Sequence, residues 1–425
     1  METEVLRVLT TDEVDVSQRT PIDEGIFSDA RRIVMAVRSG GDESLRDYAI
    51  EFDGLDQDDP IVLEAAAMAD AYHSLPARQR EALVSTRERI ETFAQAQRAC
   101  LTDLEMDVPG GHAGHTVEAV AVAGCYAPGG GYPLPSSVLM TATPANVAGV
   151  STVIVASPNP DPVTLGAAHV CEVDMVVTAG GAQAMGALGF GTESIPRCDV
   201  VVGPGGPWVT AGKKAITGYV RTDFMAGPTE LVIFADSTAD PELVAVDLLA
   251  QAEHAPEAWP VLVTDDETLI EATDRALEAQ LADLPTAQVA RQALTNGYVL
   301  HVETLAQGCE VCSMLAPEHL QLAGERVTEW RDELSHYGTV FLGQSTAESL
   351  GDYGLGPNHV LPTGGAARFT GGLSVFDFLR IPTWLEVRRD SLPTQVSDDI
   401  TILARMEGLE AHARAVEHRV DHPEE

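Results

Sequence analysis

Side chains that could bind a divalent metal ion lie far apart in the sequence of this protein. The nitrogen and oxygen donors are Gln251, His254, Asp352, His359 and His412, with Glu407 five residues before the last. Gln251 and His254 are three residues apart near the end of a helical pattern, so their side chains share one face of that helix. Donors of this kind suit zinc. Spacing alone cannot bring positions 251, 352 and 412 together, and by itself it favours solvated or helix-capping roles.

Glu318 and His319 form a candidate acid–base pair. They follow Leu315-Ala-Pro and precede Leu320-Gln-Leu, where a helical pattern gives way to a strand pattern. An acidic residue beside a histidine is common by chance. In apolar surroundings, however, partial burial shifts both pKa values toward neutrality, as proton transfer at neutral pH requires.

Three glycine-rich segments each follow a strand-like run. They are Tyr126-Ala-Pro-Gly-Gly-Gly131, Gly180-Gly-Ala-Gln-Ala184 and Gly203-Pro-Gly-Gly206. Glycine lets backbone N–H groups approach a phosphate closely, although glycine after a strand is more often only a turn. The G-x-G-x-x-G signature of a dinucleotide site is missing from the sequence. Three such turns at the carboxyl ends of strands in one sheet nevertheless indicate a ligand in the crevice.

Other conspicuous residues favour structural roles. Cys309 and Cys312 have the spacing of zinc ligands or a redox pair, but they lie inside an apolar-periodic helix with no second pair, which favours buried thiols. The acidic run 53–59 is typical of a solvated loop. Lys213 and Lys214, the only lysines in the chain, are too few to form a basic patch.

The elements that must position these residues alternate between strand and helix after about residue 117. Residues 1 to about 105 carry helical periodicity. Strand-like runs then form two series, at 152–156, 175–178 and 200–202, and at 231–235, 261–263, 298–301 and 340–342. Helical patterns separate these runs, and the tail from about 385 is helical, with 401–420 strongly periodic. Such alternation is typical of parallel sheets covered by helices.

Length and charge exclude several classes of function. The chain has 425 residues, which predicts more than one domain. Its 65 acidic and 26 basic residues give a net charge of −39, which argues against nucleic-acid binding because phosphate contacts need lysine and arginine clusters. Scarce lysine with abundant carboxylate is typical of halophilic proteins from salt-loaded cytoplasms, the alternative being an acidic surface kept only for solubility. With neither a signal peptide nor an 18-residue apolar stretch, a soluble cytoplasmic protein that contacts no membrane is expected.

Motifs along the chain fall in an order that resembles histidinol dehydrogenase. Besides the glycine-rich segments they are Ala226-Gly-Pro-Thr-Glu, Gln251-Ala-Glu-His254, Ala316-Pro-Glu-His-Leu320, Gly351-Asp-Tyr, Gly356-Pro-Asn-His-Val-Leu-Pro-Thr363, Gly372-Leu-Ser-Val375 and Glu407-Gly-Leu-Glu-Ala-His412. The match runs in register from about residue 25 to 420. So many motifs together are far more specific than any one of them.

The resemblance implies an α/β fold of two incomplete Rossmann-like parallel-sheet domains with helical N- and C-terminal extensions. We expect a helical region at 1–110 that packs on the second α/β domain, α/β domains at 111–225 and 226–380, and a helical tail at 381–425 that contributes to the partner's site. It also implies a homodimer with one Zn²⁺ per subunit. The enzyme would use NAD to oxidise L-histidinol through histidinal to L-histidine, the last step of histidine biosynthesis.

The resemblance assigns roles residue by residue. Glu318 and His319 match the catalytic pair. The zinc ligands would be Gln251, His254, Asp352 and His412, with His412 coming from the partner chain. Substrate contacts would be Thr229, Glu407 and His319 together with the zinc ligands, and dinucleotide contacts would be Tyr126, Gln183 and residue 206.

Two positions depart from the family pattern. Thr229 stands where serine is usual and keeps the hydroxyl group. Gly206 stands where asparagine is usual, so a side-chain amide that could contact the dinucleotide is missing.

The sequence disfavours three alternative functions. A relative that oxidises another primary alcohol, such as a sulfonated diol, is disfavoured because Glu407 and the full metal set suit the amine and imidazole of histidinol. A zinc hydrolase is disfavoured by the glycine-rich turns, and a catalytically inactive binding protein by the intact Glu318–His319 pair.

Overall fold

The computed structural model describes residues 5–14, 22–129, 132–388 and 391–421. Gly130 and Gly131, which end the first predicted glycine-rich segment, lie outside these residues. The chain forms two compact units, a larger one of Met1–Ala96 and Val120–Phe378 and a smaller one of Gln97–Ala119 and Leu379–Glu425. The four predicted domain ranges stay predictions. Among the described residues, no helix combines the length and apolar character needed to cross a bilayer.

The strands of the described residues are numbered in chain order. They are β1 (Arg7–Leu9), β2 (Val62–Glu64), β3 (Leu104–Val108), β4 (Gly111–His115), β5 (Glu118–Ala119), β6 (Val122–Tyr126), β7 (Thr152–Ala156), β8 (Met175–Val177), β9 (Val200–Val202), β10 (Arg221–Thr222), β11 (Glu230–Ala235), β12 (Trp259–Thr264), β13 (Tyr298–His301), β14 (His319–Ala323), β15 (Thr339–Leu342), β16 (Leu379–Arg380) and β17 (Thr383–Val387). The strand-like runs of both predicted series coincide with strands to within two residues at either end.

The α-helices are numbered in the same way. They are α1 (Glu24–Asp53), α2 (Ala65–Ser74), α3 (Ala77–Arg98), α4 (Pro135–Ala148), α5 (Pro162–Val170), α6 (Gly181–Phe190), α7 (Pro207–Ile216), α8 (Pro241–Ala252), α9 (Glu267–Leu281), α10 (Ala287–Leu294), α11 (Leu305–Leu315), α12 (Glu325–Thr328), α13 (Glu348–Asp352), α14 (Thr394–Met406) and α15 (Glu410–Asp421).

Two six-stranded sheets form the framework of the larger unit. The first has the order β10-β9-β6-β7-β8-β2 and is parallel except for the edge strand β2. The second has the order β1-β13-β12-β11-β14-β15 and is parallel throughout. Their central strands are buried and rich in β-branched residues, as strands covered by helices on both faces must be. The predicted fold class is confirmed.

The N-terminal region differs from its prediction in two ways. It is not helical throughout, because β1 joins the second sheet beside β13 and β2 pairs with β8 in the first. Its helices also cover the first sheet rather than the second, since α1 packs on α6 and α7 and α2 packs on α5. The physical reason is an apolar stripe on α1, including Ala30, Ile33, Val34 and Val37, that is buried in the core of the first sheet.

The smaller unit contains a three-stranded antiparallel sheet, in the order β17-β4-β3, together with α14 and α15. The predicted helical tail from about 385 is therefore wrong at its start, where β17 runs to Val387. The periodic stretch 401–420 is two helices, because Gly408 adopts a left-handed backbone with φ of 78° and ends α14. Glu407 and His412 consequently belong to separate elements rather than to one helix.

Candidate active site

The predicted catalytic pair, Glu318 and His319, lies at the amino end of β14, beside the amino end of the neighbouring strand β11. Thr229 immediately precedes β11, and His319 is the first residue of β14. These strands pair in parallel, with Leu231 opposite His319, so residues just before each strand lie side by side. The predicted helix-to-strand junction is confirmed, since α11 ends at Leu315 four residues before β14 begins.

Glu318 is buried and held by two hydrogen-bond donors. Its Oε2 atom accepts from the Thr229 hydroxyl at 2.7 Å and from the Glu230 backbone N–H at 2.9 Å. Burial raises the pKa of Glu318 well above its ordinary value, although both hydrogen bonds act in the opposite direction. Burial thus favours the protonated form of this carboxyl group.

His319 is fixed in one tautomer. Its Nδ1 atom lies 3.0 Å from the Glu230 carbonyl oxygen, and because a carbonyl only accepts, Nδ1 must carry the proton. The Nε2 atom then carries the lone pair; it is buried, has no hydrogen-bond partner among the described residues, and lies 3.7 Å from Asp352 Oδ1. Burial lowers the pKa of His319 to about 3, so the ring is neutral at physiological pH; the predicted shift toward neutrality is wrong for this residue, because loss of water disfavours the charged imidazolium.

Three of the four predicted metal ligands gather around this pair. The Gln251 amide donates from Nε2 to the Thr229 hydroxyl at 3.1 Å. His254 Nε2 lies 3.8 Å from Asp352 Oδ2, and burial raises the pKa of Asp352 to about 6. Since α8 ends at Ala252, His254 lies in the turn beyond the helix, and the predicted shared helical face is wrong.

The donor set fits a divalent cation. The buried Gln251 Oε1 atom has no hydrogen-bond partner among the described residues. His254 Nδ1 lies 2.9 Å from the Ala250 carbonyl oxygen, which leaves the lone pair on Nε2 facing Asp352. A histidine that donates its other ring N–H to a carbonyl is the usual arrangement for a metal ligand. Gln251 therefore offers a buried amide oxygen, and His254 offers a ring nitrogen that lies near the Asp352 carboxylate.

Sequence reasoning missed Glu348, whose carboxylate is 2 % exposed. Neither of its oxygens has a hydrogen-bond partner among the described residues, and Oε1 lies 3.5 Å from His319 Nδ1. One ligand atom from each of His319, Glu348 and Asp352 lies within 4.8 Å of the others, which marks the same pocket as a cation site. A signal was present, because Glu348 precedes Asp352 by four residues and shares its helix face.

The remaining candidates are His359, Glu407 and His412. His359 is buried with Nδ1 2.9 Å from the Asp352 carbonyl oxygen, and burial lowers its pKa to about 4, so it supports the backbone of Asp352. Glu407 and His412 are exposed residues of the smaller unit. Their roles stay predictions.

The glycine-rich turns meet at the carboxyl edge of the first sheet. The Tyr126 hydroxyl accepts from Gly181 N–H at 3.4 Å, and Gly203 packs so closely on the Tyr126 backbone that a Cβ atom would collide with it. Gln183 is buried and donates from Nε2 to Asp53 Oδ2 at 2.8 Å. The turns therefore share one edge of the sheet, while a ligand crevice there and the roles of Tyr126 and Gln183 toward a dinucleotide stay predictions.

Asp53 is not part of a solvated loop, as the acidic run suggested. It is the last residue of α1, and its Oδ2 atom also accepts from Gly180 N–H at 2.9 Å. Burial raises the pKa of this carboxyl group. Cys309 and Cys312, by contrast, are buried free thiols as predicted.

Gly206 is exposed at the start of α7, and a Cβ atom there would meet nothing within 4 Å. Trp208, two residues further on, is 43 % exposed. The position usually occupied by asparagine therefore has room for that side chain.

Comparison with known proteins decides the family. The sequence pattern of the family described as histidinol dehydrogenase matches residues 17–420. The chain belongs to the histidinol dehydrogenase family. It is 43% identical over 391 residues to the histidinol dehydrogenase of Thermus thermophilus, covering 92% of this chain and 93% of that protein. The histidinol dehydrogenase of Nitrosomonas europaea is 38% identical over 411 residues, with 95% of each chain covered.

Solved structures agree with this family assignment. The crystal structure of histidinol dehydrogenase from Elizabethkingia anophelis superimposes with a TM-score of 0.91 over 99% of both chains, at 30% identity. An acetylating aldehyde dehydrogenase from Geobacillus thermoglucosidasius gives a TM-score of 0.51 at 13% identity, covering 86% of this chain and 98% of that one, which shows a shared fold alone. The histidinol dehydrogenase resemblance predicted from the motifs is confirmed.

Proposed function

We propose that this protein oxidises L-histidinol through histidinal to L-histidine, with NAD⁺ as the hydride acceptor and a zinc ion as the resident metal. The observation that carries the proposal is the Thr229 hydroxyl, which links the Gln251 amide at 3.1 Å to the Glu318 carboxylate at 2.7 Å beside the buried base His319. One hydroxyl thus joins a predicted metal ligand to the predicted catalytic pair.

The metal would be held by Gln251, His254 and Asp352, with His412 of the partner subunit as the fourth ligand. The unpartnered Gln251 Oε1 and the orientation of His254 support this set. When bound, the ion supplies an anchor that holds the amino and imidazole nitrogens of the substrate until both oxidations are complete. Nitrogen and oxygen donors of this kind suit zinc.

His319 takes the proton in the first oxidation. His319 Nε2 would accept the alcohol O–H proton as histidinol is oxidised to histidinal, and bound NAD⁺ would supply the hydride acceptor that this oxidation requires. The Glu230 carbonyl keeps Nδ1 protonated, so the lone pair stays on the atom that faces the substrate. The low pKa of the ring prevents His319 from being protonated before the substrate arrives.

Glu318 activates water for the second oxidation. Its carboxylate removes a proton as the water oxygen bonds to the aldehyde carbon, and the resulting hydrate loses a second hydride to form the carboxylic acid. The hydrogen bonds from Thr229 and Glu230 hold one oxygen in place, and burial raises the pKa of Glu318 toward the range in which it can accept that proton.

The dinucleotide would bind at the glycine-rich edge of the first sheet, against Tyr126, Gln183 and Gly206. Two molecules of NAD⁺ must enter in turn, because each oxidation transfers one hydride. Gly206 and Trp208 are exposed at this edge, which suits a ligand that exchanges while the aldehyde stays bound.

We further propose a homodimer in which the smaller unit serves its partner. Exposed apolar side chains on and beside α14, including Leu403, which is 58 % exposed, and Met406, which is 78 % exposed, are unusual in a chain with a net charge of −39. They lie next to Glu407 and close in sequence to His412, both also exposed. A second copy would cover the apolar face and receive both polar residues.

Mixing two inactive variants tests the shared site. His254→Asn and His412→Asn each remove one ligand from every site of their own homodimer. If His412 acts across the interface, dissociated and reassociated mixtures should recover up to about a quarter of wild-type activity, since half of the dimers are mixed and each mixed dimer has one intact site. No recovery in mixtures that contain proven heterodimers would place His412 in its own chain's site.

Product stoichiometry tests the function itself. Purified, zinc-loaded protein should form two molecules of NADH for each molecule of L-histidinol, with L-histidine as the product. NADH formation from a sulfonated diol but not from histidinol would show the related alcohol oxidation instead. Hydrolysis of an ester or amide without NAD⁺ would support a zinc hydrolase, and the predicted cytoplasmic location stays a prediction.

A further inference from the structure

A buried ion pair holds the glycine-rich turn 203–206. Lys213 Nζ lies 2.5 Å from Asp223 Oδ1 and donates to the Gly203 carbonyl oxygen at 2.5 Å. The other carboxylate oxygen, Asp223 Oδ2, accepts from Gly203 N–H at 2.8 Å. Both backbone polar groups of Gly203 are therefore bound by one pair of opposite charges, whose side chains are 2% and 1% exposed.

A buried ion pair such as this one is seldom needed for the stability of a fold. Two charges removed from water lose hydration that their mutual attraction seldom recovers in full, and apolar residues of similar volume often stabilise a core as well. Lys213 is nevertheless among the largest fully buried side chains of the described residues and is one of only two lysines in the chain. The contacts that the ion pair makes with the Gly203 N–H and carbonyl explain why two charged side chains are buried here.

That geometry connects the turn to both predicted ligand sites. Gly203 adopts φ of 120° and packs against the Tyr126 backbone, at the edge where the glycine-rich turns meet. One helical turn before Lys213, the Thr210 hydroxyl donates to the Ala226 carbonyl oxygen at 2.9 Å, and Ala226 begins the segment that leads to Thr229. Helix α7 therefore fixes the cofactor-side turn and the segment leading to the substrate side together.

We propose that Lys213 and Asp223 are positioning residues for the dinucleotide, acting through the turn 203–206 without touching cofactor or substrate. The inference rests on the proposed function, because it takes the ligand of this turn to be NAD⁺. Loss of the pair would release the Gly203 peptide and misplace the N–H groups and carbonyls that face the cofactor.

The experiment compares four variants of the full-length enzyme with wild type. Lys213→Met, Asp223→Asn and the double variant remove the pair, and Lys214→Met is the matched control, because Lys214 is the neighbouring lysine and its side chain is 40% exposed. We measure the dissociation constant of NAD⁺, the KM for NAD⁺ and for histidinol, kcat and Tm. Lys213→Met should raise the KM for NAD⁺ about tenfold or more and the KM for histidinol less than about threefold. Lys214→Met should match wild type.

The double variant separates positioning from stability. Each single variant leaves an uncompensated buried group and should lower Tm. In the double variant the uncompensated charge is gone, so Tm should recover, while the KM for NAD⁺ stays high because a methionine side chain cannot donate to the Gly203 carbonyl. A double variant with wild-type affinity for NAD⁺, or single variants that lose stability alone, would overturn the proposal. Wild-type enzyme that fails to bind NAD⁺ would instead refute the proposed function.

Discussion

At His319 the hydrogen bonds decide which atom can take a proton. The Glu230 carbonyl holds the proton on Nδ1, and Nε2 is left buried and unpartnered among the described residues. Glu318 beside it is held by Thr229 and by a backbone N–H. The two side chains thus have different surroundings, which supports different tasks in the two oxidations.

Substitutions of this pair should affect the two oxidations unequally. His319→Asn should slow alcohol oxidation about 10²–10⁴-fold, because the base is lost. Glu318→Gln should slow aldehyde oxidation by a similar factor and alcohol oxidation by less than about tenfold, since the amide keeps the shape but cannot activate water. Single-turnover assays starting from histidinol and from histidinal measure each step. Equal loss of both steps in Glu318→Gln would contradict the division of roles.

Removal of the metal should destabilise the protein more at neutral than at acidic pH. Burial raises the pKa of Asp352 from 3.8 to about 6, so in the metal-free protein the stability that its protonated form contributes is lost as the pH rises through 6. A bound cation favours the carboxylate and removes that loss. The Tm difference between zinc-loaded and chelator-treated protein should therefore be larger near pH 7.5 than near about pH 5.5. A pH-independent difference would argue against Asp352 as a ligand.

At the scale of elements, two edges of parallel sheets carry the two halves of the site. The predicted catalytic pair stands at the amino end of β14, next to Thr229 at the amino end of β11, whereas the glycine-rich turns follow the carboxyl ends of β6, β8 and β9. Only the second placement follows the general rule for ligands of open α/β sheets. The position of the predicted catalytic pair depends instead on the pairing of β11 with β14.

The sequence predicts the strands themselves but not which strands are neighbours. Buried β-branched runs predicted the strands 152–156, 200–202 and 298–301 to the residue, because each is bounded by turn signals. The pairing of β11 with β14, which brings Thr229 to Glu318, is a long-range contact that no local pattern encodes. The role of Asp53 was missed for the same reason, since its carboxylate accepts from Gly180 and Gln183, far away in sequence.

Gly206, the last residue of the turn before α7, offers a test at the scale of elements. Gly206→Asn should lower the KM for NAD⁺ several-fold, because the site has room for the side chain and its amide can contact the dinucleotide. As the N-cap residue of α7, asparagine should also stabilise the helix by a few tenths of a kcal/mol. Gly206→Ala is the matched control, since it adds a Cβ atom without an amide. An unchanged KM for NAD⁺ in Gly206→Asn would show that the dinucleotide does not contact the side chain at this position.

At the scale of the whole molecule, the dominant feature is a net charge of −39. Like charges on a compact surface repel one another over about 10 Å at 0.1 M salt and over about 3 Å at 1 M. The 26 basic residues, of which only two are lysines, offset less than half of the charge of the 65 acidic residues. The predicted adaptation to a salt-rich cytoplasm therefore has a direct physical test.

Tm should rise steeply between low and molar KCl. Screening weakens the repulsion in the folded state more than in the expanded unfolded chain, so unfolding becomes less favourable. Tetramethylammonium chloride at equal ionic strength separates general screening from effects specific to potassium. A flat profile across this range would mean that the acidic surface serves solubility alone.

The exposed indole of Trp208 provides an optical reporter beside the proposed dinucleotide site. Reduced nicotinamide absorbs light in the range where tryptophan emits, so a dinucleotide held by the turn 203–206 would quench this side chain through energy transfer. Each arrival and departure of coenzyme could then be followed in real time without a label, which resolves the two successive exchanges that a four-electron oxidation demands.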